Sequence, residues 1–194
     1  MIDLDASCFT TADACTAAAI RSTTLKDWLG CEPAIILLRD NDRPAKGVGH
    51  EPLLTLRRVY QIALTAALMR LGVAAQRAGN LAALFTDQGG EKPADWRSNP
   101  DYVHRRPGHL FESGCTVLVA NKDDGRFGPI ISAVTNVPLI AVFRQHTSGA
   151  IVVDVDEVVA RTLAALKLIQ RDTTPAPTSS RWVTPTSLLM ARPN

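Results

Sequence analysis

Two short helical signals only about three residues apart, near the start of the chain, limit its fold more than any other feature. Phe9-Thr10-Thr11-Ala12-Asp13 sets a Thr three residues ahead of an acid, the reciprocal capping box that opens a helix. Phe9, just before the cap, is placed to staple onto Ala14. The run from Asp13 to Ala19 is small-sided and lets another helix approach closely. Ile20-Arg21-Ser22 interrupts it, and Thr23-Thr24-Leu25-Lys26-Asp27-Trp28-Leu29 restarts the helical pattern. Ser22 or Thr23 serves as cap, and Leu25, Trp28 and Leu29 fall at i, i+3, i+4 on one inward face. Gly30 closes the segment at the C′ position. Two helices joined so briefly make either a helix-turn-helix or an ordinary helical hairpin.

The next segment separates these alternatives. The apolar run Ala34-Ile35-Ile36-Leu37-Leu38 reads as a strand, the stretch Arg39 to His50 as a basic, Gly-containing tip, and Leu53-Leu54 as a return strand. That is the pattern of a β-hairpin wing. Thr55 then caps a helix from Leu56 to about Leu71, with Val59, Ile62, Ala63, Ala66 and Leu71 on one face and Gly72 at its end. A further amphipathic segment runs from Val73 to about Phe85.

This order of elements resembles the N-terminal DNA-binding domain of the MerR-like winged-helix superfamily, including its excisionase-type modules. Phe9-Thr10-Thr11-Ala12-Asp13-Ala14 is similar to that family's opening helix, and Thr23-Thr24-Leu25-Lys26-Asp27-Trp28 to its recognition helix, with Lys26 in the Arg place. Thr55-Leu56-Arg57-Arg58-Val59-Tyr60-Gln61-Ile62 resembles the helix after the wing, and Leu68-Met69-Arg70-Leu71-Gly72-Val73 the segment that closes it. The resemblance covers residues 5–85, and it implies a winged helix-turn-helix that binds double-stranded DNA. Ala19 stands where the family usually has a turn Gly, and Leu54 where it often has Tyr. Helical pattern stops near Phe85 and Gly89-Gly90 follows, so the family's long dimerising helix has no counterpart here.

Charge distribution agrees with a nucleic-acid partner. Between residues 20 and 77 nine Lys and Arg face five Asp and Glu, whereas the whole chain carries only +2. The expected DNA contacts are Arg21, Ser22, Thr23, Thr24 and Lys26 on the recognition helix and Arg39, Arg43, Lys46 and His50 on the wing, with Arg57 and Arg58 opening the following helix. Lys26 and Thr24 are placed to reach base edges or phosphates. Trp28 shares its face with Leu25 and Leu29 and is assigned to the core.

The fold class expected for the chain is α+β: a winged helix-turn-helix over 1–86, a small α/β domain over 113–171 and a flexible tail. Residues 87–112, rich in Gly, Pro and Asn, read as a linker or irregular connection. Strands are expected at Cys115–Ala120, Pro138–Phe143 and Ala150–Val155, with a turn at 145–149, and Gly128–Val134 is ambiguous. A helix over 156–170 puts Val158, Val159, Leu163, Leu166 and Ile169 on one apolar face; that face suggests a homodimer contact. The same domain could instead take a protein or small-molecule effector. Residues 172–194, with Pro175, Pro177, Pro185 and Pro193, lack periodicity and read as the tail.

Other classes are disfavoured. With 46% apolar residues the chain is not wholly disordered, and no run approaches 18 apolar residues, so no membrane span is expected. An acidic Met1-Ile2-Asp3-Leu4-Asp5 opening is unlike a secretion signal, which points to a cytoplasmic protein. Cys8, Cys15, Cys31 and Cys115 have no zinc-site spacing and read as small buried hydrophobes. His50, His104, His109 and His146 are scattered, and Asp154 and Asp156 read as a strand end and helix cap. No catalytic residue, metal or cofactor is expected. The resulting expectation is a sequence-specific transcriptional regulator. The alternatives are a recombination-directionality or architectural DNA-binding factor of phage or mobile-element type, and a protein-interaction adaptor with a degenerate winged helix.

Overall fold

The computed structural model describes residues 3–43, 51–89, 105–112, 114–121, 127–133 and 150–168. Its elements run β1 (Ser7–Phe9), α1 (Thr11–Ala18), α2 (Ser22–Gly30), β2 (Leu54–Thr55), α3 (Leu56–Arg70) and α4 (Ala75–Thr86), then β3 (Cys115–Asn121), β4 (Phe127–Ala133), β5 (Ala150–Asp154) and α5 (Val155–Ala165). The architecture is mixed α and β, with one two-stranded and one three-stranded sheet.

The capping box forms as the sequence requires. The Asp13 amide donates to Thr10 Oγ1 at 3.1 Å and the Thr10 amide to Asp13 Oδ2 at 2.9 Å, so two helix-start donors are satisfied reciprocally. α1 ends at Ala19, whose left-handed backbone (φ 51°, ψ 51°) turns the chain into α2. Arg70, at the far end of α3, donates to the Ala18 carbonyl and, at 3.1 Å, to the Ala19 carbonyl, which ties this turn to the central helix. Neither Ser22 nor Thr23 caps α2: the N-cap is Arg21, without a side-chain hydrogen bond, and Ser22 is already helical. Gly30 is likewise the last helical residue, with Cys31 as the cap.

The expected strand over 34–38 does not form. The amides of Ile35 and Ile36 both donate to the Trp28 carbonyl, at 3.0 and 3.1 Å, which bends the run back over the end of α2. Ile36 is buried there, and Ile35 presses on α4 where Gly79 leaves no side chain: a Cβ on Gly79 would lie 2.3 Å from the Ile35 carbonyl oxygen. β2 pairs instead with β1, antiparallel, Ser7 opposite Thr55 and Phe9 opposite Leu54. The loop preceding β2 is closed by an antiparallel bridge between Arg43 and Leu53, with N–O distances of 2.8 and 2.9 Å.

α3 is the centre of the molecule. Thr55 Oγ1 accepts from the Arg58 amide at 3.2 Å to start it, and burial extends around the helix: Val59, Tyr60, Ile62, Ala63, Leu64, Ala66 and Leu68 all lie inside. Leu71, expected on the inward face, is 52% exposed, because the helix has ended at Arg70. The expected segment 73–85 forms as α4, packed along α3.

In the C-terminal part β3 is the middle strand, flanked antiparallel by β4 and β5. The segment read as ambiguous from Gly128 is a strand as far as Ala133, the last described residue there, and Asp154 caps α5 through the Glu157 amide at 3.1 Å. Leu118, Ala120, Val153, Val155 and Val159 belong to the same buried cluster as Leu25, Leu64 and Phe85, so one core runs from α1 to α5. α5 lies on α3, α1 and β3. Val159 is buried, with Leu163 and Leu166 packed against the core, and the face expected to mediate dimerisation is covered by the chain itself. Cys8 and Cys115 are exposed and Cys15 and Cys31 half-buried, all free thiols, so the expectation of four buried cysteines is corrected. The strand expected over Pro138–Phe143, the turn at 145–149, Ile169 and the tail over 172–194 lie outside the described residues.

Candidate nucleic-acid interface

The expected DNA contacts divide into two groups. Arg21, Ser22, Thr23 and Lys26 are exposed along α2, and Thr24 is half-buried between them. Arg43 is exposed at the closing bridge of the loop, while Lys46 and His50 lie outside the described residues. Among the described residues Arg21, Lys26 and Arg43 form no ion pair. Trp28 and Leu25 are buried, as the spacing required, and anchor α2 to the core.

The other arginines are engaged by the protein. Arg58 is only 1% exposed; its Nε donates to Asp42 Oδ2 at 3.0 Å, its Nη1 contacts Gln61 Oε1, and its Nη2 lies 3.6 Å from Asp87. A guanidinium so enclosed cannot reach a phosphate, and Arg58 is removed from the set of DNA contacts. Arg57 is half-buried, paired with Asp5 at 2.7 Å and donating to the Thr86 carbonyl at 3.1 Å, and it too is held inward. Arg39 is exposed but paired with Asp87 at 2.9 Å.

Asp42 organises this cluster. Its Oδ1 accepts from the Thr55 amide (2.9 Å) and hydroxyl (3.0 Å), and its Oδ2 from the Arg39 amide (2.9 Å) and Arg58 (3.0 Å). Burial alone would push the Asp42 carboxyl up, but the donated backbone hydrogen bonds and Arg58 outweigh it and hold the group below the usual carboxylate range. One carboxylate thereby fastens the start of the loop to β2 and to α3. Sequence spacing gave no hint of this, since Asp42 and Arg58 share no helical or strand period. An open cleft of about 500 Å³ beside it is lined by Arg39, Arg57, Asp5 and Asp87.

Arg105 is a second structural cation that sequence reasoning placed in a linker. It is buried over the end of α4, donating to the carbonyls of Phe85 (2.9 Å), Leu84 (3.2 Å), Gln88 and His109 (3.2 Å), with its guanidinium 5.0 Å from the Phe85 ring centroid. Burial draws its pKa down to about 10, so it stays charged at neutral pH.

On the other side of α2 a cleft of about 540 Å³ opens between the start of α1, α2 and the residues leading into β2. Lys26 and Glu51 stand at its sides and Leu25, Leu29 and Pro52 supply its apolar lining. Thr11 Oγ1 donates to Glu51 Oε2 at 3.1 Å. No group of three His, Cys, Asp or Glu that could hold a metal ion occurs among the described residues, and no described helix is long and apolar enough to cross a membrane. Compared with known proteins, the chain matches no protein-family model, no curated protein and no solved structure.

Proposed function

We propose that the chain is a sequence-specific DNA-binding transcriptional regulator built on a winged helix-turn-helix of the MerR-like kind. α2 acts as recognition helix in the major groove, and the basic loop between Arg39 and His50 lies on phosphates or in the adjacent minor groove. The observation that carries this is the sorting of the basic groups. Arg57, Arg58, Arg70 and Arg105 are spent on carboxylates and carbonyls of the chain itself, whereas Arg21, the N-cap of α2, and Lys26 within that helix stay exposed beside Ser22 and Thr23. A helix anchored by Leu25 and Trp28 and open on its opposite face can enter a groove without losing core packing.

The contact set is accordingly narrower than the sequence suggested: Arg21, Ser22, Thr23, Thr24, Lys26, Arg39 and Arg43 from the described residues, with Lys46 and His50 from the loop tip. A homodimer would use a surface other than the α5 face, which α3 and α1 already cover. Selection of bound sequences from random duplexes by the full chain tests the function. Enrichment of one motif is the expected result, and recovery of unbiased sequence would refute it.

A further inference from the structure

The cleft beside α2 carries one group that a purely phosphate-binding surface would not keep: the exposed carboxylate of Glu51. A carboxylate facing a polyanion is repelled by it, so its presence next to Lys26 weakens binding to any sequence. The group is nevertheless held. Thr11, the first residue of α1, donates its hydroxyl to Glu51 Oε2 at 3.1 Å, which leaves Oε1 free of any hydrogen bond to the described residues. Lys26 lines the same cleft from α2, one turn from Ser22. Three separate segments thus bring a hydrogen-bonded acceptor and an exposed cationic donor to one side of the helix assigned to the major groove.

Major-groove edges distinguish bases by such pairs. A carboxylate accepts from the exocyclic amino group of cytosine (or, less commonly, adenine) and is repelled by the carbonyl oxygens of guanine and thymine, while a Lys donates to guanine N7 and O6. We infer that Glu51, positioned by Thr11, is a specificity-determining residue that accepts a hydrogen bond from a base amino group, cytosine first, beside the base that Lys26 reads. This rests on the DNA-binding function proposed above and adds to it the chemistry of one base pair. Leu25, Leu29 and Pro52 supply the apolar lining of the cleft beside these two groups.

The test is a sequence selection from random duplexes with the full chain, repeated for Glu51→Ala, Glu51→Gln and Thr11→Val, followed by titration of the selected duplex and a random duplex. Wild-type protein is expected to enrich an amino-bearing base at one position. Glu51→Ala should lose about ten-fold of the preference at that position while leaving the rest of the motif intact. It should also bind random duplex about two- to five-fold more tightly, because a repulsive charge has gone. Glu51→Gln, whose amide both donates and accepts, should move the preference toward adenine. Thr11→Val should reduce the preference less than Glu51→Ala does. The unchanged melting temperature of the Glu51 variants guards against misfolding, since this side chain is exposed. If wild type enriches a motif and Glu51→Ala enriches the same motif with equal preference everywhere, the inference fails and the DNA-binding function stands. If wild type enriches nothing, both fail.

Discussion

Replacing Asp42 should be among the most damaging single changes in the chain. The residue is 3% exposed and its two carboxylate oxygens accept four hydrogen bonds, from the Arg39 amide, the Thr55 amide and hydroxyl, and Arg58. Asp42→Ala leaves the Arg58 guanidinium, itself 1% exposed, without its closest counter-charge, and leaves two buried or half-buried amides without acceptors. Breaking a buried pair from one side costs about 3–5 kcal/mol, and each orphaned donor adds about 1–3 kcal/mol where water cannot enter. Asp87, at 3.6 Å, and Gln61 retain part of the hold on Arg58, so the lower figure, about 4 kcal/mol in all, is expected. That is a large share of the ~5–15 kcal/mol that stabilises a typical domain, and corresponds to a melting shift of about 8–16 °C. Because the folded-state pKa of Asp42 lies below its ordinary value of 3.8, its contribution is complete above that value and is lost as pH falls through and below it. Urea denaturation at pH 7 and in steps below pH 4, with wild type, Asp42→Ala, Arg58→Met and Asp42→Ala/Arg58→Met, measures all of this. The double variant should be less destabilised than the sum of its single variants, with coupling above about 1 kcal/mol. A loss under about 1 kcal/mol for Asp42→Ala, or an acid limb as steep as that of wild type, would refute the assignment of this carboxylate as the fastening point of the loop.

Three further substitutions probe the framework by thermal or urea unfolding. Ala19→Gly relieves a left-handed backbone that costs a side chain roughly 1 kcal/mol, against a smaller entropy cost in the unfolded chain, and should stabilise by about 0.5 kcal/mol; a loss would contradict the αL turn. Gly79→Ala puts a Cβ 2.3 Å from the Ile35 carbonyl and should destabilise by about 1–3 kcal/mol as residues 34–36 are pushed off α4. Arg105→Leu removes the donor set over the end of α4 and should cost about 2 kcal/mol, with faster amide exchange expected near Phe85 and Gln88.

The helical elements were legible where local chemistry decides them. The Thr10 and Thr55 caps and the Leu25/Trp28 anchor follow from spacing within one or two helical turns, while the turn position at Ala19 came only from the family resemblance. The ends of α2 and α3 were misplaced by a residue, and the larger errors lie where distant residues decide. The apolar run 34–38 has the composition of a strand, yet the Trp28 carbonyl and the bare surface at Gly79 make it a packing loop. Arg57 and Arg58 look like any basic helix start until Asp5 and Asp42 are brought to them from 52 and 16 residues away. The apolar face of α5 was visible in the sequence, but its partners, α3 and α1, were assigned to a different unit. Glu51 gave no signal at all, being one acid in a loop, and acquires meaning only from Thr11 and Lys26 around the same cleft.

The most direct measurement of the central claim is the affinity of the full chain for its selected duplex and for random duplex across a salt series, for wild type, Lys26→Ala and Arg43→Ala. If α2 reads sequence and the loop holds phosphate, Lys26→Ala costs about 1–3 kcal/mol on the selected duplex and relaxes discrimination at one or two base pairs. Arg43→Ala then weakens both duplexes about equally and lowers the salt slope by about 1. The contradicting result is Lys26→Ala with discrimination untouched while Arg43→Ala abolishes it, which would move sequence reading from α2 to the loop in a narrow minor groove.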